Sequence, residues 1–321
     1  MDQVKTLLVT GGCGFIGSHF INYMHTTYPS LKIVNIDRID YCSDPDNIQD
    51  QDDSWYTLVQ LDLNQSKILQ KVLVDYQVDA VVHFAAQSHV DNSFGNSISF
   101  TIDNVLGTHS LMECCRIVHQ DRPFYRIIHI STDEVYGEVD LDHTGCHEKS
   151  LLNPTNPYAA SKAAAEFIVR SYFYSFKLPV IITRGNNVFG ENQFPEKVIP
   201  KFITQMLDNE PVTIQGAGTA RRNFIYVDNV SQAVECILKQ GEINEVYNIG
   251  CDDEYSVMEI ATIIANKLDI PLKTKTIPDR YFNDQRYCID SSKLRKIGWK
   301  CTVNFDIGLN KVIDYWKSLH V

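Results

Sequence analysis

Tyr158 and Lys162 stand four residues apart in Pro157-Tyr158-Ala159-Ala160-Ser161-Lys162, a spacing that puts both side chains on one face at the start of a helix. A phenol beside an ammonium is expected to have a lowered pKa, and so to take a proton from a hydroxyl as hydride leaves the carbon. Alone, that spacing arises often by chance. It gains weight from Ser131-Thr132-Asp133-Glu134-Val135-Tyr136-Gly137, where Thr132 can position a hydroxyl and two consecutive carboxylates follow. A helix N-cap accounts for one acid but not for both. Neighbouring residues at a strand end diverge, so Asp133 and Glu134 could address two adjacent carbons, one donating a proton and the other abstracting one.

A second cluster lies near the N-terminus, where Leu7-Leu8-Val9 leads into Thr10-Gly11-Gly12-Cys13-Gly14-Phe15-Ile16-Gly17. Gly11 would allow a tight turn, Gly14 a close backbone approach to a pyrophosphate, and Gly17 tight packing of helix on sheet. The free N–H groups and positive dipole end of that helix suit phosphates. A purely structural turn is the alternative, but a strand before and a helix after are the context a dinucleotide site needs. Asp37 ends the next β-rich run, where a carboxylate would accept from adenosine ribose hydroxyls and repel a 2′-phosphate. The expected cofactor is therefore NAD, although the adjacent Arg38 speaks slightly against it. Asp62 could accept from the adenine amino group, or be a solvated acid at a strand end.

The elements that must position these groups alternate. Short β-rich runs at Thr6–Val9, Lys32–Ile36, Thr57–Leu61, Ala80–Phe84, Arg126–Ser131 and Pro179–Thr183 are separated by helix-length segments at Phe15–Tyr28, Lys67–Tyr76, Val105–His119 and Tyr158–Phe176. Apolar strands alternating with helices predict a doubly wound α/β architecture, a parallel sheet covered on both faces. After Thr183 the rhythm changes, with helices expected near Pro195–Leu207, Asn229–Lys239, Ser256–Leu268 and Phe305–Ser318 and short strands at Val212–Ile214 and Val246–Ile249. We therefore expect a cofactor-binding domain over 1–184. A smaller α+β substrate domain over 185–321 would follow, crossing back to the sheet and covering a cleft at its C-terminal edge.

Composition narrows the partners. The 321 residues carry 40 acids against 29 Lys and Arg, a formal charge of −11, which disfavours a nucleic-acid partner. Nine scattered cysteines, an odd number without CxxC pairs, predict neither a disulfide framework nor a zinc site, and no other metal is expected. With no signal-peptide pattern and no window of roughly 18 apolar residues, the reading is a cytoplasmic protein without a membrane partner.

These residues carry a family resemblance. The chain resembles the extended short-chain dehydrogenase/reductases with a Rossmann fold, and among them the nucleotide-sugar 4,6-dehydratases. The likeness runs through His83 to Ser93, Ser131 to Gly137, Asn156-Pro157-Tyr158, Arg184-Gly185-Asn186-Asn187-Val188-Phe189-Gly190 and Phe194 to Pro200. The Thr-Asp-Glu triplet separates the dehydratases from the epimerases and decarboxylases of the same fold. A non-enzymatic NAD-sensing or RNA-associated member would typically have lost the tyrosine or the glycines, which this chain keeps.

The resemblance implies a hydro-lyase that regenerates its NAD at each turnover. Tyr158, helped by Thr132 and Lys162, would deprotonate the carbon-4 hydroxyl during oxidation to a 4-keto sugar. Glu134 would then remove the carbon-5 proton, Asp133 would protonate the departing carbon-6 hydroxyl, and hydride would return to carbon 6. It also implies cofactor contacts from Phe15, Ile16, Leu63, Ala85 and Ser88 beside Gly11, Gly14, Gly17, Asp37, Asp62, Tyr158 and Lys162. Substrate contacts would come from Ser88, Thr132, Asn187 and Tyr287. The diphosphate needs cations on an acidic protein, and Lys197, Arg222 and Arg280 are the candidates, with surface ion pairs as the alternative for each. His89, Asp91 and Asn92 could orient the sugar or merely hold their loop.

Bacterial dTDP-glucose dehydratases usually carry a Tyr-His pair before Phe-Pro-Glu-Lys and a Gly-His-Asp stretch after the arginine matching Arg280. This chain has Glu191-Asn192-Gln193-Phe194 and Tyr281 to Tyr287 there. Those stretches, with Asp40-Tyr41-Cys42-Ser43, look more like the N-terminal dehydratase domain of plant UDP-rhamnose synthases, which tilts the expected substrate to UDP-glucose over dTDP-glucose. With one catalytic unit expected, a separate epimerase/reductase would have to finish any rhamnose synthesis. The family also implies a homodimer through a four-helix bundle, presenting Leu106, Leu111, Met112 and Ile117 on one helix and Phe167, Ile168, Tyr172 and Phe173 on the other.

Overall fold

Leu7, Leu8 and Val9 are all fully buried, as a strand covered on both faces requires. The computed structural model describes residues 1, 3–142, 144–280 and 282–320. Its strands in chain order are β1 (Thr6–Thr10), β2 (Lys32–Asp37), β3 (Tyr56–Gln60), β4 (Ala80–His83), β5 (Arg126–Thr132) and β6 (Val180–Gly185). There follow β7 (Asn187–Phe189), β8 (Val212–Gln215), β9 (Arg221–Tyr226), β10 (Val246–Ile249), β11 (Glu254–Ser256) and β12 (Thr274–Ile277). Seven of them form one parallel sheet in the order β10-β6-β5-β4-β1-β2-β3. The strand order reverses between β1 and β4, and an open α/β sheet binds its ligands beyond the strand ends at such a point.

Helices cover both faces, so the doubly wound expectation holds. On one side Phe20, Ile21 and Met24 of the Phe15–Thr27 helix meet Val230, Val234 and Ile237 of the Val227–Gln240 helix over the sheet. On the other side Leu69, Leu73, Leu111, Met112, Val169 and Tyr172 come from the Ser66–Asp75, Gly107–His119 and Pro157–Phe176 helices. Residues after Gly185 are divided between cores: β10 and the Val227–Gln240 helix complete the main sheet. The Val198–Leu207, Val257–Leu268 and Phe305–Leu319 helices build a separate core with β7, β8 and β9.

Two details differ from the sequence reading. The helix expected from Val105 begins at Gly107 and is preceded by a π-helical segment, Thr101–Leu106. There the buried Asn104 accepts from the Gln87 N–H at 2.7 Å and donates to the Ser161 hydroxyl at 2.9 Å. A π turn inserts a residue and shifts the apolar register, which a search for helical periodicity cannot see. The second difference concerns the outward faces. Leu111, Met112 and Tyr172 pack inward on the sheet, because the same helices must first cover its strands; the exposed apolar residues are Ile102 and Leu106 on the π-helical segment and Phe167 and Tyr174 on the Pro157–Phe176 helix. Among the described residues no helix is long and apolar enough to cross a membrane.

Candidate active site

The glycine loop joins β1 to the Phe15–Thr27 helix. Gly11 has φ +71°, and a Cβ there would lie 2.6 Å from the Ala85 backbone; a Cβ on Gly17 would lie 2.3 Å from the Gly11 carbonyl. Side chains are excluded at both positions. Gly14 is the helix N-cap and offers no side-chain cap, which leaves the first-turn N–H groups to an anion. Asp37 Oδ2 accepts from the Cys13 N–H at 3.0 Å and Oδ1 from the Ile39 N–H at 2.8 Å, so this carboxylate also ties the loop to β2. Arg38 turns to Asp103 and Asp40, at 2.7 and 2.6 Å, and its charge is neutralised there.

A cavity of about 360 Å³ opens beyond this loop. It is lined by Gly11, Gly14, Phe15, Ile16, Gly17, Asp37, Asp62, Leu63, Ala85, Ser88, Tyr158 and Lys162, and also by Thr132 and Glu134. Every residue expected at the cofactor therefore faces one space. The glycine cradle, the open helix end and the neutralised Arg38 fit NAD.

Thr132 ends β5 and caps a 3₁₀ turn over Asp133–Tyr136, accepting from the Glu134 N–H at 3.3 Å. Neither acid is spent on capping. Asp133 is 2% exposed and accepts from Asn186 Nδ2 at 2.8 Å. Burial pushes its carboxyl up to about 7, the Glu134 charge adding to the rise and the Asn186 bond opposing it. Glu134 is also raised by burial, with Asn156, Arg222, Arg280 and Lys197 pulling it back. Asp133 is thus a carboxyl that can carry a proton near neutrality beside one with more stabilisation of its charge.

Asn156 is the N-cap of the Pro157–Phe176 helix, with Pro157 in the first turn. The helix delivers Tyr158 and Lys162 side by side in sequence register, but the electrostatics differ from the expectation. Burial raises the Tyr158 phenol well above its ordinary value, and the charges of Glu134 and Asp133 raise it further against the Thr132 hydrogen bond. Lys162 Nζ donates to the Ile130 carbonyl at 2.6 Å and is itself lowered to about 8 by burial. Desolvation outweighs the ammonium here.

A second cavity of about 230 Å³ is lined by Ser88, Glu134, Asn187, Lys197, Arg222, Arg280 and Tyr287. Ser88, Glu134, Asn187 and Lys197 line both cavities, so the two spaces meet at the base of the acid pair. Thr132, expected at the substrate, lines the first cavity, and Asp133 lines neither. Arg222 donates to the Arg221 and Asp284 carbonyls at 2.7 and 2.8 Å, and its guanidinium lies 4.4 Å from the Tyr287 ring centre. Among the described residues no carboxylate pairs with it. Arg280 is paired, with Nε 2.6 Å from Asp91 Oδ1. Lys197 donates to the Ser88 carbonyl at 3.1 Å, and burial lowers its ammonium. The Tyr287 hydroxyl donates to Asp284. Asp91 holds Arg280, His89 Nδ1 lies 3.4 Å from Glu196, and Asn92 donates to the Tyr41 hydroxyl at 3.2 Å; all three tie loops together. Tyr281 lies outside the described residues.

Several contributors carried no role in the sequence reading. Asn156 donates to Glu134 Oε2 at 3.1 Å; an Asn before Pro at a helix start is a capping signal that could have singled it out. Behind the site the buried Arg184 grips Glu166 with bonds of 2.6 to 3.1 Å and donates to the Tyr136 hydroxyl at 2.8 Å, which donates in turn to Asn248. No local pattern marks that network.

Known proteins resemble this chain along nearly its whole length. A trifunctional UDP-glucose 4,6-dehydratase/UDP-4-keto-6-deoxy-D-glucose 3,5-epimerase/UDP-4-keto-L-rhamnose-reductase of Arabidopsis thaliana is 46% identical over 316 residues, 97% of this chain. The chain spans 47% of that relative, about half its length. A dTDP-D-glucose 4,6-dehydratase of Homo sapiens is 40% identical, with 98% of this chain and 90% of the relative covered. Among solved structures, a dTDP-glucose 4,6-dehydratase of Streptomyces venezuelae with NAD and TYD bound superposes with a TM-score of 0.92 at 35% identity, covering 98% of this chain and 97% of that one. The family model described as GDP-mannose 4,6 dehydratase matches residues 8–312, and the chain belongs to that family, within the short-chain dehydrogenase/reductase fold.

Proposed function

We propose that this chain dehydrates a nucleoside-diphosphate glucose to its 4-keto-6-deoxy sugar, with UDP-glucose as the preferred substrate. The observation that carries the reading is the acid pair. Glu134 lines both the cavity with the dinucleotide cradle and the cavity with Lys197, Arg222 and Arg280, Asp133 is buried next to it in sequence, and the two acids have different partners and different burial. An epimerase needs only the tyrosine and the cofactor; two carboxyls of unequal proton affinity serve an elimination.

Bound NAD supplies the hydride acceptor for oxidation at carbon 4 and the hydride returned to carbon 6. Tyr158 takes the proton of the carbon-4 hydroxyl. Its phenol is held high in the protein alone, so positive charge from an oxidised nicotinamide is what would bring it into use as a base. Lys162, braced on Ile130, holds a second positive charge on the same helix face. Glu134 removes the carbon-5 proton, acidified by the adjacent ketone, and the C5–C6 double bond forms as the carbon-6 oxygen leaves with a proton from Asp133. Arg222, whose fork is aimed by two backbone carbonyls and by Tyr287, binds the diphosphate with Lys197. Arg280 joins them by exchanging Asp91 for phosphate oxygen. The division of labour runs from cofactor residues within 1–184 to diphosphate residues within 185–321.

Identity favours UDP-glucose, at 45 to 46% to the plant UDP-glucose relatives against 39 to 40% for the dTDP-glucose ones. The thymine methyl changes fit by only roughly 1–3 kcal/mol, so dTDP-glucose is the second substrate to test. An epimerase and a reductase acting on the 4-keto product would complete a rhamnose. Ile102, Leu106 and Phe167, 45%, 50% and 62% exposed, support a two-fold dimer through the helices that carry them. Incubating the purified protein with each sugar nucleotide and no added reductant tests the activity. A product lighter by one water, without net NADH, is expected; UDP-galactose as sole product would overturn the reading.

A further inference from the structure

Arg38 directly follows Asp37, a place from which an arginine near the ribose can accept a 2′-phosphate. Here its fork is occupied. Asp103, on the π-helical segment Thr101–Leu106, receives Nη1 on Oδ1 at 2.7 Å and Nη2 on Oδ2 at 2.8 Å. Asp40 Oδ2 accepts from Nη2 at 2.6 Å, and Asp62 Oδ2 lies 3.6 Å from Nη1. Gln87 Nε2 donates to Asp40 at 3.1 Å and to Asp103 at 3.0 Å, bracing both acids against the guanidinium.

Each of these residues, with Asp37, lines the 360 Å³ cavity. One guanidinium therefore faces three carboxylates, Asp103, Asp40 and Asp62, in a cavity that the ribose-binding acid Asp37 also lines. A bidentate arginine–carboxylate pair is among the stronger polar contacts a protein makes. A 2′-phosphate would have to displace it while meeting three further like charges. Discrimination by such a repulsive arrangement is a general route to specificity.

From this the structure assigns Asp103 and Asp40 as cofactor-specificity residues: by holding the Arg38 fork they deny a 2′-phosphate its cation and keep the site for NAD. The assignment rests on the cavity being the dinucleotide site. It departs from the view that Asp37 alone selects the cofactor, and it makes Arg38 a phosphate-binding residue that is disarmed by a segment far along the chain.

Calorimetric titration with AMP and with adenosine 2′,5′-bisphosphate, which differ only in the 2′-phosphate, tests it without any turnover. Wild type should bind the bisphosphate at least about tenfold more weakly than AMP. The double variant Asp40→Asn with Asp103→Asn should narrow that ratio by about tenfold, and adding Arg38→Ala should abolish the gain. Asp103→Asn alone supplies a milder change if the double variant does not fold. An unchanged ratio in a folded Asp103→Asn or double variant overturns the assignment. Failure of wild type to bind AMP would instead sink the dinucleotide reading beneath it.

Discussion

Asn156 donates from Nδ2 to Glu134 Oε2 at 3.1 Å while its Oδ1 accepts from the Ala159 N–H at 2.8 Å, so one amide starts the helix that carries Tyr158 and steadies the neighbouring base. Replacing it by Ala removes a helix cap, at about 1 kcal/mol. It also removes the largest influence opposing the burial of Glu134, so the base needs a higher pH to ionise. The acidic limb of the kcat profile should move upward, with rate recovered as pH rises. Asn156→Ser keeps a cap but shortens the reach to Glu134, and should shift the profile with little loss of stability. A profile that does not move in either variant contradicts this coupling.

Glu134→Gln should leave oxidation at carbon 4 partly intact and block loss of water, with a fall of about 10²–10⁴ in kcat. Single-turnover measurement of reduced nicotinamide beside mass analysis of the sugar separates the two steps. Dehydration at near wild-type rate would remove Glu134 from the role of carbon-5 base.

Asp133 is expected to make stability fall as pH rises. Its folded pKa of about 7 lies above the ordinary carboxyl value, so the folded state holds the proton more tightly. That contribution is complete below the unfolded pKa, about 3.9, and is lost as pH climbs through 7. Asp133→Asn, always neutral, should be the more stable protein above neutrality, by on the order of 4 kcal/mol, with the difference growing between acid and neutral pH. Its dehydration should nonetheless be severely impaired. Denaturant titrations at several pH values read the first effect, and a difference independent of pH would refute it.

Arg184 and Glu166 are buried together, at 3% and 2% side-chain exposure, and Arg184 also braces Tyr136 one turn beyond the acid pair. Arg184→Met strands a buried carboxylate and should cost about 3–5 kcal/mol. Pairing it with Glu166→Gln should recover part of that loss, since the stranded charge is gone. Urea unfolding of the single and double variants decides the matter; a single-variant cost below about 1 kcal/mol would mean that the pair is not structural.

Gly17→Ala should abolish or greatly weaken dinucleotide binding, by at least about tenfold, because its Cβ would sit 2.3 Å from the Gly11 carbonyl. The contact is backbone against backbone, so the loop itself must move. Titration with NAD, with the fold followed by circular dichroism, would show it; wild-type affinity would contradict the close packing.

The sequence by itself determined the local chemistry: the glycine cradle between a strand and a helix, the adjacent acids after β5, and the four-residue step from Tyr158 to Lys162. Each is encoded within a few residues, where turn geometry and helical spacing leave little choice. The alternation of strands and helices likewise announced the parallel sheet. Only the tertiary structure decided which charges are free to act. Arg280 is taken by Asp91 and Arg38 by Asp103, while Arg222 meets carbonyls and an aromatic ring. It also decided that Tyr158 is raised and Asp133 poised near neutrality, because burial comes first for both, and Tyr158 meets the charges of Glu134 and Asp133 from another part of the chain. Those surroundings come from contacts between elements far apart in the chain, and no window of sequence contains them.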